Sequence, residues 1–286
     1  MRAPVRQLDP TEYPASLHEI PQVPERLWMR GAWAPAGTKH LAVVGSRALS
    51  RYGKEACEML INGLAGYPIS VVSGLALGAD ACAHRAALSA GLHTIAIPGS
   101  GINDDVIGPR TNFGLAMDIL DSGGALLSEN PPDYTPHKGN FPSRNRIMVG
   151  IADAVLMVEA GERSGTLITA RLAGEYNREL LCIPHRIGDA HGIGGHLFMR
   201  LGATLVSESA HILEALGITL AVRDAETVRI ELTGNERSLF DLLAEPLPKD
   251  ELIRASGLAS GDVLTALIAL ELKGFVKEEF GAWRRA

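Results

Sequence analysis

Seven short apolar runs decide what this chain can fold into. They are HLAVVGS (40–46), ISVVSG (69–74), HTIAIPGSG (93–101), GALLSE (124–129), AVLMVEA (154–160), ELLCIPH (179–185) and ATLVSE (203–208). Each is apolar at both odd and even positions and closes around Gly, Ser, Glu or Pro. A strand of that kind is covered on both faces. Between the runs lie helix-spaced segments near 52–65, 78–90, 112–121, 143–151, 164–177, 193–201 and 208–216. This alternation predicts an α/β fold with a doubly wound, mostly parallel sheet. Right-handed crossovers then bring the strand C-terminal ends to one edge, where ligands bind.

The flanks read differently. Residues 1–38 are Pro-rich and weakly periodic, and predict an N-terminal cap, irregular but for one short helical stretch and anchored by Leu27 and Trp28. The sheet domain covers 39–217. Residues 218–235 read as a linker, with room for one short strand. Residues 236–286 run helix, Pro-marked turn, helix, Gly turn, longer helix and two short strands around a Gly, the order of a winged helix-turn-helix.

A chain of 286 residues holds roughly two domains and can bury a core without staples. Lys and Arg number 27 against 33 Asp and Glu, a formal charge of −6, which excludes a globally basic wrapper of nucleic acid but not a local basic site. At 46% hydrophobic and 21% charged, the composition excludes a disordered chain. Cys57, Cys82 and Cys182 form no CxxC pair, so no disulfide framework and no metal site is expected. Neither a membrane-spanning apolar run nor a signal core appears, and the expectation is a reduced, cytoplasmic protein that does not enter membranes.

Four segments can carry chemistry. VVGSR (43–47) ends the first run: Gly45 lets a ligand approach the backbone, Ser46 follows, Arg47 suits phosphate oxygens, and a helix start lies just beyond. The dinucleotide fingerprint GxGxxG is absent, and no cofactor is expected. SGLALGADACAHRAAL (73–88) places Ser73 and Gly74 at a strand end and sets Asp80 and His84 on one helix face. The favoured reading of that pair is a first-turn acid and a packed core histidine. HKGNFPSRNRI (137–147) holds Lys138, Arg144 and Arg146 with no acid among them, and Phe141 in a loop between the charges. A cation beside an aromatic is how single-stranded nucleic acid is held; the competing reading is a solvated loop with Phe141 plugging the core and Arg146 paired to a carboxylate. VEAGERSGTLITARLA (158–173) ends a strand at Glu159 and sets Ser164, Gly165 and Thr166 before a helix, a second anion-ready start. No paired catalytic carboxylates, no Ser–His–Asp set and no Walker lysine emerge. The residues by themselves reach an anion-binding α/β protein, with nucleic acid favoured.

VVGSR, SGLALGADACAH, GSGIN, ALLSENPP, NFPSRNRIMVGIADAVLMVEA and SGTLITARLA, in that order, closely resemble the DprA/Smf family of DNA-processing proteins of natural transformation. The resemblance implies an extended Rossmann-like domain that binds single-stranded DNA, a C-terminal winged helix, a homodimer built through the Rossmann domain, and no catalysis. It also implies loading of the recombinase RecA, with single-strand-binding protein as a further partner. By motif, the DNA site takes Gly45, Ser46, Arg47, Ser73, Gly74, Lys138 and Phe141, with Arg144 and Asn145 nearby and backbone donors from Ser164, Gly165 and Thr166. Two stretches depart from the family pattern: DDVIGPRTN replaces the usual Tyr-Pro segment after GSGIN, and Pro184-His185 replaces Pro-Gly.

Two other readings compete. A phosphoribohydrolase has a similar fold, but its PGGxGTxxE motif is matched here only by PGSGINDD (98–105). A duplex-binding regulator would use the winged helix, yet residues 236–286 hold seven basic and nine acidic residues, the wrong sign for reading phosphates.

Overall fold

The computed structural model describes residues 3–135, 140–219, 232, 234–279 and 281–285. The chain divides into two compact units, 1–219 and 220–286.

The first unit is built on a nine-stranded sheet. In chain order it runs β1 (Val5–Gln7), α1 (Ala15–His18), β2 (Trp28–Gly31), β3 (Lys39–Val44), α2 (Arg51–Asn62), β4 (Ile69–Ser73), α3 (Ala79–Ser89), β5 (His93–Ala96), α4 (Phe113–Asp121) and β6 (Ala125–Ser128). It continues with α5 (Asn140–Ile151), β7 (Ala154–Met157), α6 (Thr166–Glu175), β8 (Glu179–Cys182), α7 (Ile193–Arg200), β9 (Thr204–Leu205) and α8 (Ser209–Ala215). The strand order is β1-β2-β6-β5-β4-β3-β7-β8-β9. The seven strands from β3 to β9 are mutually parallel, as the apolar runs predict.

The strands are apolar at both parities because each face has its own helices. Leu41 and Val43 of β3 pack toward α2 and α3, with Cys57, Leu60 and Ala83. Their neighbours Ala42 and Val44 pack toward α5 and α6, with Ile147, Met148 and Ala170. The period-two alternation of a strand therefore sends apolar side chains into two separate cores. The three cysteines are buried free thiols.

The N-terminal segment is more than a cap. It contributes the predicted short helix, α1, but also two strands. β2 pairs antiparallel with β6, from Trp28↔Ser128 to Gly31↔Ala125, and β1 pairs antiparallel with β2. Leu27 is fully buried, as expected of an anchor. The strands are shorter than the apolar runs: β5 stops at Ala96 and β7 at Met157, and the residues beyond turn into loops on the sheet's C-terminal edge.

The second unit has helices Gly234–Leu242, Lys249–Ser256 and Ser260–Leu272, then strands Val276–Glu279 and Ala282–Arg285 paired antiparallel, with Leu247–Pro248 as a third, edge strand. Leu239, Phe240, Leu252, Leu267 and Trp283 form its core. This is the winged-helix order. Most of the segment 218–235 lies outside the described residues. Among the described residues no single helix is long and apolar enough to cross a membrane.

Candidate nucleic-acid interface

The sheet winds outward from β3 in both directions: β4, β5 and β6 lie on one side, β7, β8 and β9 on the other. Such a reversal leaves a crevice outside the strand ends. A cavity of about 590 Å³ lies there. Gly45 and Arg47 line it from the loop after β3, Ala76 from the β4–α3 connection, Asp80 from the first turn of α3, Arg144, Asn145 and Met148 from α5, and Ser164, Gly165, Thr166 and Thr169 from the start of α6. Segments as far apart in sequence as Gly45 and Thr169 converge because each follows a parallel strand.

Two devices hold the Arg47 loop. Behind it, Glu159 is buried and accepts hydrogen bonds from Ser50 N (3.0 Å) and from the Ser50 hydroxyl. Ser50 caps α2 by accepting from Gly53 N at 3.0 Å. Beneath it, the β4–α3 loop presses close: Ala79 N donates to Ser46 O at 3.0 Å. Gly78 makes this approach possible, since its φ is +74° and a Cβ there would strike the Ser46 and Arg47 carbonyl oxygens. Ser46 itself is absorbed by the turn, its hydroxyl accepting from Ala48 N at 3.1 Å. Arg47 is exposed above the cavity.

The floor contains two buried charges of opposite sign that the sequence did not announce. Arg144 is almost wholly buried, and its guanidinium donates to Ile97 O. It occupies the space that Gly74 leaves empty. Asp80, also buried, accepts from Ala76 N at 3.3 Å. Burial raises the Asp80 pKa, while the Arg144 charge and backbone donors from Ala76 and Gly74 oppose that shift. Burial likewise lowers the Arg144 pKa, with Asp80 opposing and Arg47 adding to the shift. Each charge opposes the cost of burying the other. His84, one turn along α3, is a packed core residue with Nδ1 2.7 Å from Thr94 Oγ1, the favoured reading of the Asp80–His84 pair. Among the described residues no group of three His, Cys, Asp or Glu side chains could hold a metal ion.

The remaining expected site residues fall in different places. Ser73 is fully buried and its hydroxyl donates to Val43 O at 2.7 Å, so that side chain serves the fold and not the cavity wall. Asn145 Nδ2 donates to Thr169 Oγ1 at 2.8 Å, fixing α5 to α6 across the cavity. Ser164 Oγ accepts from Thr166 N at 3.2 Å, in an ordinary local turn. The cap position itself is Gly165, whose absent side chain leaves the helix start open. Arg146 pairs with Glu129, the carboxylate partner that the structural reading of that segment required. Lys138 lies outside the described residues. Phe141 is not in a loop: it belongs to the first turn of α5, which begins at Asn140. Pro142 sits in that same turn, where a missing N–H costs no helical hydrogen bond. Sequence reasoning missed Thr169 and the buried charge of Asp80 that opposes that of Arg144. A polar residue at helical spacing from Thr166 was the only available signal for Thr169.

A doubly wound α/β unit with an open helix start, an exposed arginine and a crevice at the switch point places the chain in the Rossmann-like class, whose switch-point crevices are suited to anions. Comparison with known proteins fixes the family. The profile described as DNA recombination-mediator protein A matches residues 5–217, and that described as DprA winged helix domain matches residues 223–281. This chain belongs to the DNA recombination-mediator protein A (DprA/Smf) family. It is 37% identical to Protein Smf of Escherichia coli over 281 residues, covering 96% of this chain and 75% of that one. It is 40% identical over 201 residues to DNA processing protein DprA of Streptococcus pneumoniae, covering 70% of each. The crystal structure of the Streptococcus pneumoniae protein superposes with a TM-score of 0.68 over 73% of each chain. DNA processing protein A from Helicobacter pylori, whose structure was described for its single-stranded DNA binding mode, superposes with a TM-score of 0.66 at 27% identity. That match covers 76% of this chain and 98% of that one. The family is one of recombination mediators and not of enzymes, which sets aside the phosphoribohydrolase reading.

Proposed function

We propose that this protein binds single-stranded DNA in the cavity at the switch point and acts as a mediator that protects incoming strands and loads RecA onto them in natural transformation, in the cytoplasm. The observation that carries this reading is the convergence, at one crevice, of Arg47, the open start of α6 at Ser164–Thr166, and Arg144 and Asn145 of α5. In this reading Arg47 and Lys138 grip phosphates, Gly45, Gly165 and Thr166 offer backbone, and Phe141 stacks on a base. Arg144 supports the site from below, bonded to Ile97 O in the space beside Gly74. The single-stranded DNA binding mode described for the Helicobacter pylori relative supports the ligand class.

The homodimer fits the far end of the sheet. Ile193, Leu197 and Leu201 recur every four residues along α7 and its end, all exposed, beside exposed Leu205 of edge strand β9. An apolar stripe bordering an open strand suits a second copy of the same surface. Leu197→Glu should yield a monomer in analytical ultracentrifugation; an unchanged dimer refutes this placement. The winged helix does not look like a duplex reader, because Leu264, Ile268 and Leu272 line the outward face of its longest helix.

The test of the ligand class compares a labelled single strand with a matched duplex at two salt concentrations. The reading predicts preference for the single strand, with affinity falling steeply as salt rises. Preference for the duplex, or binding indifferent to salt, overturns it. A RecA-loading assay on strands coated with single-strand-binding protein then tests mediation: no acceleration by the parent protein rejects that part.

A further inference from the structure

A second cavity opens on the same edge of the sheet, outside the site described above. It holds about 440 Å³ and is lined by Tyr52, Pro184, His185, Arg186 and Asp189. Tyr52 comes from the first turn of α2, and the other four from the segment that follows β8.

The geometry is that of a prepared stacking platform. The Tyr52 hydroxyl donates to Pro184 O at 2.7 Å, and its ring stands edge-on to His185 with centroids 5.1 Å apart. These contacts fix the ring, yet Tyr52 remains 47% exposed. A ring already held in place loses little freedom when a flat ligand covers it. His185 is itself clamped from behind. Its Nδ1 lies 3.0 Å from Ile183 O, and its buried Nε2 makes no hydrogen bond, 3.7 Å from Glu159 Oε1. The same Glu159 holds Ser50 at the start of α2, so one buried carboxylate braces both the Arg47 loop and the wall of this cavity. The rim adds a cation and an acceptor. Arg186 is exposed and suited to a phosphate. Asp189, whose Oδ1 accepts from His191 N at 2.9 Å, presents a carboxylate able to accept from a ring N–H or an exocyclic amine of a base.

We propose that this cavity is a second nucleotide subsite for the same single strand, in which a base stacks on Tyr52 and its phosphate meets Arg186. The proposal rests on the strand-binding reading given above. Spacing supports continuity with the first cavity. Tyr52 follows Arg47 by five residues on one connection, and β8 lies two strands from β3, about 10 Å across the sheet. A strand leaving Arg47 reaches the Tyr52 ring within a few nucleotides. An aromatic ring paired with a nearby cation is the combination that holds single-stranded nucleic acid.

The test uses the full chain and two labelled oligo-dT strands, one of about 4 nucleotides and one of about 16. The parent should bind the longer strand more tightly. Tyr52→Ala should lose about ten-fold in affinity for the longer strand, the effect of one stacked base, and nothing for the shorter. Tyr52→Phe keeps the ring, gives up only the bond to Pro184 O, and should bind both strands as the parent does. Photocrosslinking of a 5-iodouracil strand should label Tyr52. Equal loss on both strands would make the ring a structural prop and overturn the proposal, as would no loss on either or failure of Tyr52→Phe to restore binding. If the parent binds neither strand, the strand-binding reading itself fails and this subsite with it. Unchanged thermal unfolding of Tyr52→Ala separates lost binding from lost fold.

Discussion

Gly74→Ala should cost this protein a large part of its stability while adding a single methyl group. A Cβ at Gly74 would lie 1.6 Å from Arg144 Nη1, and its three nearest atoms all belong to that guanidinium. Gly74 has no left-handed φ, so the cost is steric and not conformational. The obstacle is the end of a flexible side chain, and the backbone can stay where it is. The guanidinium has nowhere equivalent to go: leaving its slot breaks its bond to Ile97 O and strips buried Asp80 of its counter-charge. Losing the hydrogen bond of a buried charged group and the opposing charge it supplies costs about 3 kcal/mol. For a domain of this size each kcal/mol moves the midpoint by about 2–4 °C, so the variant should melt about 10 °C below the parent. Differential scanning calorimetry or urea unfolding reads this directly. The mechanism is checked by repeating the substitution in an Arg144→Ala background. There Asp80 has already lost its partner and the methyl group no longer meets the guanidinium, so the added cost should shrink to a small fraction. A neutral Gly74→Ala, or the same cost in both backgrounds, would refute the reasoning.

Three other predictions follow from the same interior. Burial, with the Arg144 charge nearby, lowers the His84 pKa to about 3, against an ordinary 6.5. The unfolded chain therefore binds a proton that the folded chain refuses between those values, and stability must fall as pH drops through that window. Between pH 7 and pH 5 this group should remove about 2 kcal/mol, a slope that His84→Gln should lack; identical slopes in parent and variant would contradict the assignment. Ser50→Ala removes the cap of α2 and one donor to Glu159, and should cost about 1–2 kcal/mol in urea unfolding. Because Ser50 and Glu159 hold the Arg47 loop, the same variant should also bind single strands more weakly; full stability with full binding would count against the bracing role.

The alternating architecture was legible because it is a local property of the sequence. Each parallel strand must be apolar at both parities to pack between two helical layers, and that pattern places every strand from β3 to β9. β1 and β2 were not legible for the opposite reason. β1 has three residues and β2 four, they lie in a Pro-rich segment, and β2 owes its existence to pairing with β6 about 97 residues away. The candidate site shows the same division. The segments VVGSR and SGT announce themselves through glycines and small polar residues at strand ends, which any anion-binding loop needs. Arg144 reads as one more surface cation in a basic stretch. Its burial depends on a missing Cβ at Gly74 and a carboxylate at Asp80, neither of which is near it in sequence. Phe141 reads as loop because it follows Pro131, Pro132 and Pro136, whereas α5 begins at Asn140 and holds Pro142 in its first turn, where a proline breaks nothing.

The central claim is that Arg47 and the switch-point cavity hold the backbone of a single strand. Fluorescence anisotropy of labelled oligo-dT, measured with the parent and with Arg47→Ala over a range of salt concentrations, tests it most directly. The account predicts weaker binding by the variant and a log–log salt slope shallower by about 0.7, the share of one phosphate on a single strand, with thermal unfolding unchanged. Equal affinity and equal slope in the two proteins would contradict it.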